Sequence, residues 1–166
     1  MMISQAMSDR LNEQVKNEFY SFYLYLAMAY AFEKMNLPIF AKWFFLQADE
    51  EREHAMKMAQ YILDQGGEVK LAGLPDPKTD YKSAQEIVSD ALEHEQLVTR
   101  QVGEIADLAI KENDHATRQF IDWFVAEQVE EVKSASELLE LVKMADTPGR
   151  LLMLEGRLVH MRKGMV

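Results

Sequence analysis

Glu51 and His54 stand three positions apart, and Gln128 and Glu131 repeat that spacing 77 positions later. On a helix, side chains at i and i+3 reach the same place, so each pair offers two polar donors to one point. A single glutamate precedes each pair at the same distance: Glu18 lies 33 positions before Glu51, and Glu95 lies 33 positions before Gln128. The arrangement occurs twice, as an internal duplication of a site would.

Each of these residues interrupts an otherwise apolar helical stripe read at the three- and four-residue steps of a bundle seam. The four stripes are Leu11, Val15, Glu18, Phe22, Tyr25, Ala29, Phe32; Phe40, Phe44, Gln47, Glu51, His54, Met58, Tyr61; Val88, Ala91, Glu95, Val98, Val102, Ile105, Ala109; and Ile121, Phe124, Gln128, Glu131, Ala135, Leu138, Val142. A buried carboxylate without compensation costs several kcal/mol even after relaxation, and no Lys or Arg stands on these seams. Glu18, Glu51, Glu95 and Glu131 together bring four negative charges, which two divalent cations would neutralise, with His54 and Gln128 completing the coordination. Carboxylate oxygen with one imidazole suits iron, manganese or zinc, and ligand type alone does not choose among them. The chain has no Cys, which excludes thiolate sites, a disulfide scaffold and a thiol nucleophile.

Long segments without internal Pro must position these residues. Helices are expected over 4–35, 38–65, 83–113 and 114–145, with Gly103 tolerated inside the third. Pro38 suits a first turn, and Gly66-Gly67 a C-terminal stop. The stretch 66–82, with Gly73, Pro75 and Pro77, is too long for a tight turn. It reads as a crossover that lets the third helix start at the same end as the second. After Thr147-Pro148-Gly149, a short fifth helix is expected over 148–162, with Leu151, Leu154, Leu158 and Met161 on one stripe; a lone apolar helix of this kind suggests assembly. The fold class is all-α, a four-helix bundle with a long crossover and a short C-terminal helix, in one domain over 1–166.

Composition agrees. With 166 residues, 48% hydrophobic and 28% charged, and only 7 Gly and 4 Pro, a folded helical domain is the expectation. The net charge of −10 works against nucleic acid, whose binding relies on clustered Lys and Arg. Cations are the more natural partners. The longest uncharged run, positions 19–32, is short of the roughly 20 apolar residues that span a bilayer, so no membrane partner is expected. The opening residues show no basic segment followed by an apolar one, and the cytoplasm is the expected compartment.

These residues, from Leu11-Asn12-Glu13-Gln14 to the fifth helix, resemble the haem-free bacterial and archaeal ferritins. In the ferritin-like di-iron pattern one Glu comes from each of two helices and Glu-x-x-His from each of the other two. Glu18, Glu51-Arg52-Glu53-His54 and Glu95 fit it, while Gln128-Val129-Glu130-Glu131 departs by offering Gln and Glu. The haem-binding bacterioferritins keep Glu-x-x-His on the fourth helix and place a haem-ligating Met directly after the second-helix glutamate. This chain has Arg52 there, so no haem is expected. The segment Trp123-Phe124-Val125-Ala126-Glu127-Gln128-Val129-Glu130-Glu131 looks like the fourth helix of storage ferritins.

The resemblance implies two iron ions per ferroxidase centre, Fe(II) oxidised by O2 or H2O2, and ferric mineral stored in a homo-oligomeric cage of 24 subunits. It also implies that Glu50, Glu127 and Glu130 form a third, weaker iron position, and that Tyr25 is a redox-active tyrosine beside the centre. The rival reading is a ferritin-like di-metal oxidase or peroxidase without a mineral store; the missing rubredoxin-like Cys region counts against rubrerythrin.

Overall fold

The computed structural model describes residues 2–165, which form five α-helices and no strand: α1 (Gln5–Lys34), α2 (Pro38–Asp64), α3 (Ala84–Lys111), α4 (His115–Met144) and α5 (Pro148–Leu158). Four helices begin at a side chain that satisfies an orphan N–H. Ser4 accepts from Met7 N, Ser83 from Glu86 N, Asp114 from Thr117 N and Thr147 from Arg150 N. Helix α2 begins after Leu37, which supplies no such cap. Its first N–H groups are satisfied from far along the chain, by the Glu155 carboxylate, at 2.8 Å from Ile39 N and 3.3 Å from Phe40 N.

The first two helices form one antiparallel hairpin and α3 and α4 another. Both hairpins turn through an asparagine in the left-handed region, Asn36 (φ 57°) and Asn113 (φ 56°), a conformation that Asn tolerates better than most residues. These two turns are again 77 positions apart, so the duplication extends from the site to the connections. Ser4 on the α1 side bonds to Glu112 beyond α3, so α3 runs antiparallel to α1 and parallel to α2. The extended segment 67–83 makes this possible. Its start is pinned by buried Asn12, which donates to the Glu68 carbonyl (3.0 Å) and accepts from Lys70 N (2.7 Å). Farther on, Lys78 bonds to Glu86 and Asp90 of α3.

Two separate apolar clusters fill the bundle. One, toward α5, holds Tyr25, Phe32, Phe40, Phe44, Leu138 and Leu158. The other, toward the start of α1, holds Leu11, Val15, Met58, Val98, Ile121 and Phe124. Between them lies a polar layer made of the glutamates, histidine and glutamines that break the four stripes.

Candidate metal centre

Each long helix delivers its polar residue to that layer because the flanking apolar residues bury the same face. Glu18 comes from α1, Gln47, Glu51 and His54 from α2, Glu95 from α3, and Gln128 and Glu131 from α4. All are between 1 and 9% exposed. Ligand atoms of Glu18, Glu51 and His54 lie within 4.8 Å of one another, and His54 Nδ1 is 3.4 Å from Glu51 Oε2. Glu18 Oε1 accepts from Gln14 Nε2 at 2.9 Å, whereas its Oε2 is buried with no hydrogen-bond partner among the described residues. An unpaired buried oxygen costs about 1–3 kcal/mol, more when charged, and either a proton shared with the neighbouring Glu51 or a cation would satisfy it.

The other half of the layer is held by amides. Gln128 Nε2 donates to Glu95 Oε2 (3.1 Å), to the Glu95 carbonyl (3.2 Å) and to Thr99 Oγ1 (3.3 Å). Gln47 Nε2 donates to Glu51 Oε1 (3.1 Å) and Glu131 Oε2 (2.8 Å), bridging the two halves. The Tyr25 hydroxyl donates to Glu95 Oε1. A cavity of about 20 Å³, bordered by Tyr25, Gln47, Glu95 and Glu131, has room for one water-sized molecule.

Electrostatics follow from the burial of four acids together. Desolvation pushes the Glu18 and Glu51 carboxyls well above the usual carboxylate range, reinforced by the Glu51 charge on Glu18 and by Glu95 and Glu131 on Glu51. Burial also raises Glu95, and it brings Glu131 up to about 7 with help from the Glu95 charge. Burial and then the Glu95 charge push the Tyr25 phenol well up. Carboxyls raised by burial and by one another's charge would release protons to a bound cation, whose charge favours their ionised form.

The structure thus brings together Glu18, Glu51, His54, Glu95, Gln128, Glu131 and Tyr25. It does not assemble Glu50, Glu127 and Glu130 into a second cluster of that kind among the described residues. Glu50 pairs with Arg162, Glu127 is half-buried, and Glu130 is exposed. Two participants were not legible as such. Gln14 stands four residues before Glu18, a helical i, i+4 spacing, but its seam role is visible only in three dimensions. Gln47 is on the expected stripe, yet its spacing does not disclose that it joins two acids.

The residues 8–145 match the family model of the ferritin-like domain. The chain belongs to the ferritin family. Among ferritin relatives, the bacterial non-heme ferritin of Staphylococcus saprophyticus is 41% identical over 130 residues, 78% of each chain. That of Bacteroides fragilis is 36% identical over 148 residues, 89% of this chain and 93% of the relative. The open pore ferritin of the hyperthermophilic archaeon Archaeoglobus fulgidus superposes with a TM-score of 0.92 at 38% identity, covering 95% of this chain and 98% of that one. This ferritin-family chain has, among its described residues, no helix long and apolar enough to cross a membrane.

Proposed function

We propose that the chain stores iron and oxidises it on entry, with ferrous iron as the substrate of a two-ion centre inside each subunit. The observation that carries the reading is the buried layer of four glutamates and one histidine in which Glu18 Oε2 has no partner. Family membership supplies iron as the metal, which the donor set permits but does not select. Glu18, Glu51 and His54 hold the first ion, and Glu95, Gln128 and Glu131 hold the second. Glu51 faces both groups and is the shared ligand. Both positions have two carboxylates and one neutral ligand of their own, but the Gln128 amide is a weaker donor than the His54 imidazole, which suits passage of the second ion to storage over permanent retention.

Oxidation is balanced by two ferrous ions, each giving one electron, while O2 takes two electrons and two protons to become H2O2; peroxide is then a second oxidant. Oxygen donors favour the more highly charged product ion. Tyr25 can supply a further electron, because its phenolic proton already points at Glu95 Oε1 and would pass to it. The oxidised iron joins a ferric mineral enclosed by an assembly of subunits, taken as a cage of 24. A third position at Glu50, Glu127 and Glu130 would require Glu50 to leave Arg162.

The test is iron per chain in the assembled fraction after a large aerobic excess of Fe2+ and desalting. Far more than two per chain is expected. A plateau at two would favour a fixed di-iron oxidase or peroxidase, and none would overturn the metal-site reading.

A further inference from the structure

Past α5 the chain turns back along α2 and is held there along its length. Leu158 and Met165 are buried in the apolar cluster, and Lys42 Nζ donates to the Met165 carbonyl at 2.9 Å. Between these points Arg162 lies over the Trp43 ring, its Cζ 5.2 Å from the centroid. Its side chain is only 13% exposed. One edge of the guanidinium pairs with Glu50. The other donates through Nη1 to Gln47 Oε1 at 2.9 Å and to the Trp43 carbonyl at 3.5 Å.

A guanidinium carries donors and no acceptor, so it can face only the oxygen of the Gln47 amide. Fixing the oxygen fixes the nitrogen, and the Gln47 NH2 is thereby aimed at Glu51 and Glu131. The flipped amide would direct an oxygen at two carboxyls and its NH2 at a cation. Glu131 depends on this arrangement more than Glu51 does, because Gln47 is its only hydrogen-bond partner among the described residues. Glu51 keeps Glu18 and His54 beside it whatever Gln47 does.

We propose that Arg162 is a positioning residue for the second metal position: from the C-terminal strap it locks the Gln47 amide, which in turn holds the Glu131 carboxylate where the ion needs it. No ligand in the centre touches Arg162, and 31 positions separate it from Glu131. The proposal rests on the two-ion reading above. Because the lock is the only hydrogen bond of Glu131 among the described residues, whereas Glu51 keeps Glu18 and His54 beside it, the two ions must respond unequally to its loss.

Anaerobic titration of the metal-free assembled protein with Co2+, followed by calorimetry and by the visible bands of the bound ion, tests it. Two Co2+ per chain are expected for the wild type. In Arg162→Ala the second ion should bind roughly 10- to 100-fold more weakly, the usual loss when a partner orienting a ligand is removed. The first should weaken far less, since Glu51 loses one hydrogen bond but keeps Glu18 and His54 beside it, and its retention also reports an intact bundle. In a Gln47→Ala background, Arg162→Ala should add far less than it costs alone, because residues acting through one another are non-additive and only the direct effect of the Arg162 charge on Glu131 is left. An unaltered second affinity, equal weakening of both ions, or additive losses in the double variant would each overturn the lock. Fewer than two Co2+ in the wild type would overturn the two-ion reading and the lock with it.

Discussion

Glu131 shows how one residue can be poor for folding and necessary for chemistry. It is buried, it faces Glu95, and its carboxyl is pushed up to about 7 from an ordinary 4.5. Replacing a buried, uncompensated ion with an apolar group of similar volume is often neutral or stabilising. Glu131→Leu should therefore abolish fast iron oxidation, followed by stopped-flow absorbance, yet leave the metal-free protein melting at the same temperature or higher; marked destabilisation would count against the desolvation argument. The pH dependence has a definite sign. A carboxyl raised on folding contributes stability that is fully present below its unfolded value and is lost as pH rises through the folded one. Relative to Glu131→Gln, the metal-free wild type should lose melting temperature between about pH 4.5 and 7, and a flat difference across that window would refute the shift. Saturating metal should reverse the trend, since the ion requires the carboxylate form.

The elements hold this layer in place through caps and seams, and one cap is non-local. Leu37 gives α2 no side-chain partner, so the Glu155 carboxylate of α5 both satisfies Ile39 N and Phe40 N and anchors α5 to the bundle. A carboxylate at a helix N-terminus is also favoured by the helix dipole. Glu155→Ala should release α5 without unfolding the bundle: limited trypsin digestion would cut after Arg150 and Arg157 while circular dichroism at the helical minima falls only slightly. Equal protease resistance in the two proteins would show that Leu154 and Leu158 suffice to hold it. This contact also marks what a linear reading misses, because 116 positions separate Glu155 from Ile39. The bundle, the crossover and the buried placement of the seven Glu, Gln and His residues on the stripes were legible, since apolar periodicity and the 33- and 77-residue spacings are local or repeated signals. Single positions on the stripes were less so. Phe22, Tyr61 and Ala135 sit on the expected seams but are only half-buried, while Ser21 and Ile62 take buried places beside the first two. A 3.5-residue seam drifts about 20° per heptad against a 3.6-residue helix, so a fixed alternation of three- and four-residue steps picks a neighbour of the buried residue at single positions while the stripe as a whole stays buried. Arg162 was beyond reach for the same reason as Glu155: nothing nearby in sequence says which distant amide a tail residue will meet.

At the scale of the whole molecule, storage and oxidation are separable, because the centre lies within one chain whereas a mineral needs an enclosure. The outer face of α1 is a candidate surface for such an enclosure. Tyr23 and Tyr30 are exposed there, and with Leu26 and Pro77 they border a groove of about 640 Å³ between α1 and the crossover. Exposed aromatic residues grouped in this way are typical of contact surfaces between proteins, while a net charge of −10 would otherwise keep subunits apart. Neither tyrosine touches the polar layer, whose α1 members are Gln14, Glu18 and Tyr25. The double substitution Tyr23→Asp, Tyr30→Asp should therefore lower the assembly size seen by light scattering and leave the rate of the first ferrous oxidation nearly unchanged. Iron retained after desalting should fall from a large excess toward the two ions of the centre. If the variant instead assembles normally, the contacts that close the shell lie elsewhere on the bundle. If it disperses and loses oxidation as well, the centre depends on assembly, and the independence of the two activities argued from its position inside one subunit is wrong.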